Sequence, residues 1–152
     1  ENMADGYDYI YVGDTMTVNS DGVWMKAEIG VAGPTYRTSG YYGTKWGVNN
    51  SGNSTSSERT TDFPLVAGDD EGMGTGTNEG VRAFECTLYN PANASTMTAF
   101  LGEAVNYGST PALIGTKAAG FYATAEANTC VRFEVSGGTL TGTIKQFRRK
   151  RS

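Results

Sequence analysis

The side chains of this sequence that could do chemistry are mainly carboxylates. The densest acidic group lies in the glycine-rich segment GDDEGMGTGTNEG, residues 68–80, and consists of Asp69, Asp70, Glu71 and Glu79. Several carboxylate oxygens in one loop can bind calcium, but their spacing here matches no EF-hand loop. We interpret the segment as an acidic surface loop, with a calcium site as the alternative, and predict neither a metal nor a cofactor.

Most catalytic machinery is excluded by composition. The chain has no histidine, which removes Ser-His-Asp and Cys-His nucleophilic sites and the common zinc sites. The segment GMGTG lacks the Lys-Ser/Thr pair that completes a phosphate-binding loop. Glycoside hydrolysis needs two facing acids, and no such pair is recognisable among the 16 acidic residues. The sequence therefore predicts a protein that is not an enzyme.

The two cysteines are predicted to lie on different faces of their strands. In VRAFECTLY, Cys86 has the same alternation as Phe84 and Leu88, and it should point inward. In TCVRFEV, Cys130 has the opposite alternation to Phe133, which should point inward, so Cys130 should point outward. A disulfide needs converging Cβ atoms, so we favour two free thiols.

Aromatic residues cluster in the segment YRTSGYYGTKWGV. Subunit interfaces are enriched in Tyr and Trp, and exposed aromatic faces also bind sugars. One interpretation places the cluster in the core or in an oligomer interface, which would include Tyr41, Tyr42 and Trp46. The alternative is a platform for a host glycan, formed by Trp24, Tyr36, Tyr41 and Trp46.

Charge is distributed unevenly along the chain. The net charge is −4, although the C-terminal end alone carries four cations, Arg148, Arg149, Lys150 and Arg151. The acidic remainder argues against a nucleic-acid ligand, because phosphate binding needs cations. No apolar run is long enough to span a membrane. We predict that the basic tail, residues 148–152, follows the last strand and contacts an acidic neighbouring subunit, with residues 69–71 as one candidate.

The overall pattern predicts short strands joined by polar turns. The chain has 21 glycines and only 18% charged residues. Residues 23–31 alternate strictly, with Met25, Ala27 and Ile29 on one face and Lys26 and Glu28 on the other. Residues 81–89 predict another strand. Strands of this length and spacing indicate an all-β protein with little helix: a single antiparallel, jelly-roll-like β-sandwich with long Gly-rich loops, one domain over residues 1–152.

The end of the chain is predicted to be a hairpin. In TCVRFEVSGGTLTGTIKQF, residues 129–147, a loop at 136–139 would join two apolar runs. The register that keeps apolar residues on one face pairs Phe133 with Gly142, where no side chain competes for space.

Four segments together resemble a loose group of virion proteins from tailed phages. They are YDYIYVGDTMTVNSDGVWMKAEI, YRTSGYYG, FECTLYNPANAST and CVRFEVSGGTLTGTIKQF. The chain departs from the group at its end, where Gln146 and Phe147 are followed by basic residues instead of an aromatic-Gly pair. The group carries no catalytic residues.

The resemblance implies a structural subunit of a virion, either a capsid decoration or a component of a tail fibre or spike. Such a subunit is assembled in the host cytoplasm, forms homo-oligomers and docks on other virion proteins. Two alternatives stay open: a glycan-binding receptor-recognition module of a phage fibre, and a subunit of a cellular extracellular filament.

Overall fold

Two antiparallel sheets face each other in the protein, as seen in a computed structural model. The structure describes residues 2–31, 35–49, 52, 54–66, 72–76, 79–108 and 113–152, with the backbone alone described for residues 54–57 and 59. These ranges contain no helix. The strands are β1 Tyr7–Val18, β2 Met25–Val31, β3 Thr35–Tyr36, β4 Tyr41–Asn49, β5 Ser54–Arg59, β6 Phe63–Pro64, β7 Gly80–Tyr89, β8 Thr98–Tyr107, β9 Leu113–Tyr122, β10 Cys130–Val135 and β11 Leu140–Lys150. The predicted all-β sandwich is confirmed.

The larger sheet has seven strands in the order β11-β1-β7-β8-β9-β4-β5. Its centre is the meander β7-β8-β9, in which each strand pairs with the next along the chain. The smaller sheet has the order β10-β2-β3, and β6 also pairs with β2. The smaller sheet therefore covers one face of the larger sheet and leaves the other face outside the sandwich.

Alternation along the strands sends every second side chain into the space between the sheets. Met25, Ala27 and Ile29 of β2 are fully buried there, as their spacing predicts. They belong to one core with rings from both sheets, in which Phe63 of β6 stacks on Phe100 of β8 with ring centroids 4.7 Å apart. Each such ring is worth roughly 1.5–3 kcal/mol of burial free energy, so this layer is the main source of stability.

The prediction of a C-terminal hairpin is wrong. Strand β10 pairs with β2, which puts Phe133 opposite Ala27, whereas β11 pairs with β1 in the other sheet. The connection at residues 136–139 therefore carries the chain from one sheet to the other. Both runs still bury their apolar faces, because a sandwich lets two strands point into one core without pairing. Phe133 packs edge-on against Tyr11, with ring centroids 5.0 Å apart.

Gly142 has a different role from the one predicted for it. It lies where the register between β1 and β11 shifts, between Asp14 and Thr17. Its φ is +157°, and a Cβ atom on Gly142 would lie 2.5 Å from Cγ of the buried Met16. Glycine is required here because the Met16 side chain occupies the space that a Cβ atom would need. The predicted reason, space for the ring of Phe133, does not apply.

The basic end of the chain is part of the sheet. Strand β11 continues to Lys150, three residues beyond the predicted end of the last strand at Phe147, and pairs with the start of β1. The Arg149 guanidinium lies 2.9 Å from the buried carboxylate of Asp8. The last strand is longer than predicted because β1 offers unpaired backbone groups and a buried anion, and contact of residues 148–152 with another subunit stays a prediction. Cations on this edge strand also discourage pairing with other sheets. The predicted partner at residues 69–71 lies outside the described residues.

We expect the Arg149→Met substitution to lower the urea midpoint of unfolding, because it leaves the Asp8 carboxylate buried without its closest cation. Lys150→Met is the matched control, since among the described residues the Lys150 ammonium has no carboxylate partner. Equal midpoints for the two variants would contradict a structural role for Arg149.

We expect Gly142→Ala to cost about 1–3 kcal/mol of unfolding free energy, because the new methyl group meets Met16 at an unfavourable φ. Gly137→Ala serves as the control, since a Cβ there would lie 3.6 Å from Val23, an ordinary contact. Urea unfolding of both variants measures the difference, and a neutral Gly142→Ala would show that Met16 can move aside.

Candidate functional site on the outer face of the seven-stranded sheet

The exposed side of the smaller sheet is covered by a network of ion pairs. Lys26 Nζ lies 2.7 Å from Glu28 Oε1 and 2.8 Å from Glu134 Oε1. Arg132 donates a hydrogen bond to the other oxygen of Glu28, and its guanidinium carbon lies 4.5 Å from the centroid of the Tyr36 ring. These side chains satisfy one another, which leaves little on this face for a ligand.

The network fixes the charge of Glu28. Burial of Glu28 favours the neutral acid, but hydrogen bonds from Lys26 and Arg132 outweigh it and lower the pKa of Glu28 below its ordinary value of 4.5. The pKa of Arg132 is raised, chiefly by its hydrogen bond to Glu28. Both groups are charged at neutral pH, so the network stabilises the sheet and holds no proton ready for transfer.

The outer face of the larger sheet is apolar and open. Seven of its large apolar side chains are between 39% and 58% exposed, namely Tyr42, Trp46, Leu101, Val105, Leu113, Phe121 and Phe147. The rings of Tyr42 and Phe121 stack, with centroids 5.3 Å apart. Contiguous apolar patches of this kind are rare on monomeric soluble proteins and mark interaction sites. This surface, which we call the outer face, is the candidate functional site.

The strand register arranges the outer face in rows. One row runs through Glu85, Glu103, Lys117 and Trp46 on β7, β8, β9 and β4. Two shallow depressions of about 510 Å³ and 750 Å³ lie on either side of this row, and Trp46 contributes to both. The charges that the structure describes in the centre of the face therefore stand between apolar side chains.

The charged groups of the row are open to water. Lys117 Nζ is 4.0 Å from Glu103 Oε2, and the two side chains are 77% and 67% exposed. An ion pair this exposed contributes only about 0–1 kcal/mol, so both charges can exchange their present contact for one with a partner. The arrangement suits binding: apolar and aromatic surface supplies affinity, and a few charges supply orientation.

Tyr42 and Trp46 lie on the outer face, but Tyr41 does not. Tyr41 has the opposite alternation, is fully buried, and packs against Phe63 in the core. Its hydroxyl accepts a hydrogen bond from the Ile29 amide at 2.9 Å and donates one to the Arg37 carbonyl at 3.1 Å. Burial raises the pKa of Tyr41. Tyr41 is therefore a core residue and was wrongly assigned to an interface or a glycan platform.

The predicted platform is not assembled. Tyr36 lies on the outer side of the smaller sheet beneath Arg132, and the backbone of Trp24, beside β2, exchanges hydrogen bonds with Ser136. Trp46 is the one member of the set on the outer face of the larger sheet. Tyr36, Tyr41 and Trp46 are thus separated by the thickness of the sandwich.

Several residues of the outer face were missed from the sequence, among them Leu101, Val105, Leu113 and Phe121. The signal was present in the segments TAFLGEAVNY and LIGTKAAGFY, which have apolar residues at both alternating positions. Phe100 and Ala104 point inward while Leu101 and Val105 point outward. A strand that is apolar on both faces indicates cover on both faces.

The remaining candidate groups lie away from the outer face. Cys86 is buried as predicted, and burial raises the pKa of its thiol; Cys130 is on the other sheet, and both are free thiols. Of the acidic group, the structure describes only Glu79, which accepts a hydrogen bond from the Gly76 amide. Within the described ranges, no group of three His, Cys, Asp or Glu side chains could hold a metal ion. No helix capable of crossing a membrane occurs there.

Comparisons of the chain with protein families, with characterised proteins and with solved structures found no match.

We expect Glu28→Gln to lower the unfolding free energy by about 1.5–3 kcal/mol at pH 7, the range for hydrogen bonds to charged groups. The pKa of Glu28 is lowered by folding, so its contribution is present above pH 4.5 and is lost as the pH falls further. The gap between wild type and variant should therefore narrow below pH 4.5.

Urea unfolding between pH 3 and pH 7, on the order of one step per unit, tests this expectation. The control is Glu58→Gln, which removes an exposed carboxylate on the edge strand β5 and should change stability little at any pH. A gap for Glu28→Gln that is constant across the series would contradict the assigned role of the network.

Proposed function

We propose that the chain is a non-enzymatic structural subunit of a virion, a capsid decoration or a tail or fibre component. In this proposal it self-assembles in the host cytoplasm and docks on neighbouring virion proteins through the outer face. The observation that carries the proposal is the set of seven exposed apolar side chains on one sheet face. Their removal from water yields about 25 cal/mol per Å², a driving force that assembly would use.

The contrast between the two outer faces supports assembly. The exposed side of the smaller sheet carries mutually satisfied ion pairs centred on Glu28. The larger sheet instead presents apolar groups on rigid strands. Rigid strands lose little conformational entropy on docking, which favours affinity. The virion as the setting comes from the sequence resemblance to phage proteins, and the homo-oligomer and the virion partners follow from the same source.

The described geometry also favours docking over catalysis. The groups that could do chemistry in the centre of the outer face are Glu85, Glu103 and Lys117, and they stand on an open surface. Catalytic electrostatics depends on a site that excludes water. Among the described strands, every one pairs within the chain, so nothing favours a donated strand and the alternative of an extracellular filament.

A second candidate function is glycan binding. Trp46 stands in a depression beside Glu85, Glu103 and Lys117, and an exposed indole with adjacent carboxylates can stack on and hydrogen-bond a sugar ring. This would be a receptor-recognition role in a phage fibre. The platform is smaller than predicted, because it retains only Trp46 from the original set.

We expect the chain to be present on tailed-phage particles purified from a producing culture, where immunogold labelling locates it on the head or the tail. Leu101→Asp should lower its occupancy about tenfold or more, because a charge buried in an apolar contact is costly. Ser95→Asp adds the same charge at an exposed turn and should leave occupancy unchanged. A chain that is absent from purified particles would contradict the proposed function.

A glycan array separates the second candidate from the first. If the outer face binds sugars, Trp46→Ala should abolish binding to the array, because stacking on the indole is lost. Phe147→Ala is the matched control, since both rings are 53% exposed and Phe147 lies at the far edge of the sheet. Absence of any bound glycan for the wild-type chain removes this candidate.

A further inference from the structure

The two central strands of the outer face combine large residues with small ones. Leu101 on β8 stands opposite Ala119 on β9, and Val105 stands opposite Gly115. On β9, Phe121 stands opposite Ala99 on β8. A Cβ atom added to Gly115 would have no heavy atom within 4 Å. Each of these protruding side chains therefore has a hollow at its cross-strand position.

Charge follows the same pattern as size. In the middle of these two strands Glu103 stands opposite Lys117, with the carboxylate and the ammonium 4.0 Å apart and both largely exposed. Each of these positions on β8 is thus matched on β9 by its complement: large with small, and negative with positive.

A two-fold symmetric contact requires this kind of surface. In an isologous interface, residue i of one copy meets residue j of the other, and j meets i. When two copies of one sheet face each other about an axis that is parallel to β8 and β9 and midway between them, each residue meets its own cross-strand partner on the other copy. Leu101 then lies over Ala119 of the second copy, and Val105 lies over its Gly115.

We propose that two copies of this chain pack face to face about that axis, with Glu103 of each copy paired to Lys117 of the other. The inference rests on the proposed assembly function and names its partner as a second copy. Between the two central strands, the large side chains of one copy meet the small residues of the other, and the two ion pairs at the centre set the register.

Charge selects this axis over the perpendicular one. An axis that runs along the row of Glu103 and Lys117 would place Glu103 against Glu103 and Lys117 against Lys117. Like charges in contact cost several kcal/mol. The axis parallel to the strands replaces both repulsions with attractions, and aligned sheets in such a contact lie within about 30° of each other.

The contact extends to the strands on either side. The axis brings β7 of one copy over β4 of the other, so that Ala83 meets Val48 and Thr87 meets Thr44. Four strands at a spacing of about 4.8 Å and about nine residues of 3.4 Å give a face of roughly 19 by 30 Å. That is the footprint of a small specific interface. Strand β11 falls outside it.

Charge reversal tests the arrangement. In a homodimer, Glu103→Lys sets the introduced ammonium against Lys117 twice, and Lys117→Glu sets the introduced carboxylate against Glu103 twice. Each variant alone should have a dimer Kd raised about tenfold or more. In an equimolar mixture the introduced ammonium meets the introduced carboxylate, and the unchanged Lys117 meets the unchanged Glu103. Both attractions are then restored, so the mixture should form heterodimers as tightly as the wild type dimerises.

Sedimentation equilibrium of the full chain measures these constants, and circular dichroism checks that each variant is folded. Lys145→Glu is the control, since Lys145 continues the same row on β11, outside the contact, and should leave the Kd unchanged. Gly115→Leu is a second, uncharged test: it fills the hollow for Val105 and should also raise the Kd about tenfold, as overpacking does.

Three results would overturn the proposal: a wild-type chain that stays monomeric at submillimolar concentration, single reversals that dimerise like the wild type, or a mixture no tighter than its components. These results concern self-association alone. A monomeric chain that is still found on virions would refute the two-fold contact and leave the proposed function standing, whereas a dimer absent from virions would do the reverse.

Discussion

The layer of rings between the two sheets is the interaction on which the rest of the structure depends. Phe63 stacks on Phe100, and Phe133 packs against Tyr11. Side chains on a strand alternate strictly, so burying one ring decides where its neighbours point. With Phe100 inside, Leu101 must be outside, and with Tyr41 inside, Tyr42 must be outside. The apolar outer face is therefore a direct consequence of how the core is filled.

The exposed sides of the two sheets differ in the kind of surface that they present. On the smaller sheet, carboxylates and cations around Glu28 neutralise one another within the chain. On the larger sheet, apolar side chains flank a row whose charges are only loosely paired. A surface of the second kind is stabilised when a partner covers it. The matched sizes and charges of β8 and β9 suit a second copy of the same face as that partner. The proposed self-assembly would account for both the apolar rows and the central ion pair.

Local sequence pattern predicted the fold class and several strands, because strict alternation in residues 23–31 admits one burial pattern. It failed where two arrangements satisfy the same alternation. The runs around Phe133 and Gly142 bury their apolar faces equally well as a hairpin or as strands of opposite sheets, and only the positions of β1 and β2 decide. In β4, aromatic residues occupy both alternating positions, so the sequence could not show which of Tyr41 and Tyr42 is inside. The ordered basic end depends on Asp8, at the other end of the chain, which no local pattern reveals.

The central claim is that the outer face meets its own copy in one defined register, and cross-linking tests this most directly. Facing sheets lie about 10 Å apart, a separation that the long side chains of Glu103 and Lys117 can span together. Chains with Glu103→Gln and chains with Lys117→Gln are mixed in equal amounts and treated with a carbodiimide, which joins a carboxylate to an amine as an amide, and the linked peptides are identified by mass spectrometry. The first variant keeps Lys117 and the second keeps Glu103, so the account predicts a cross-link between these two residues in the mixture that neither variant forms alone. A mixture without this cross-link would contradict the account.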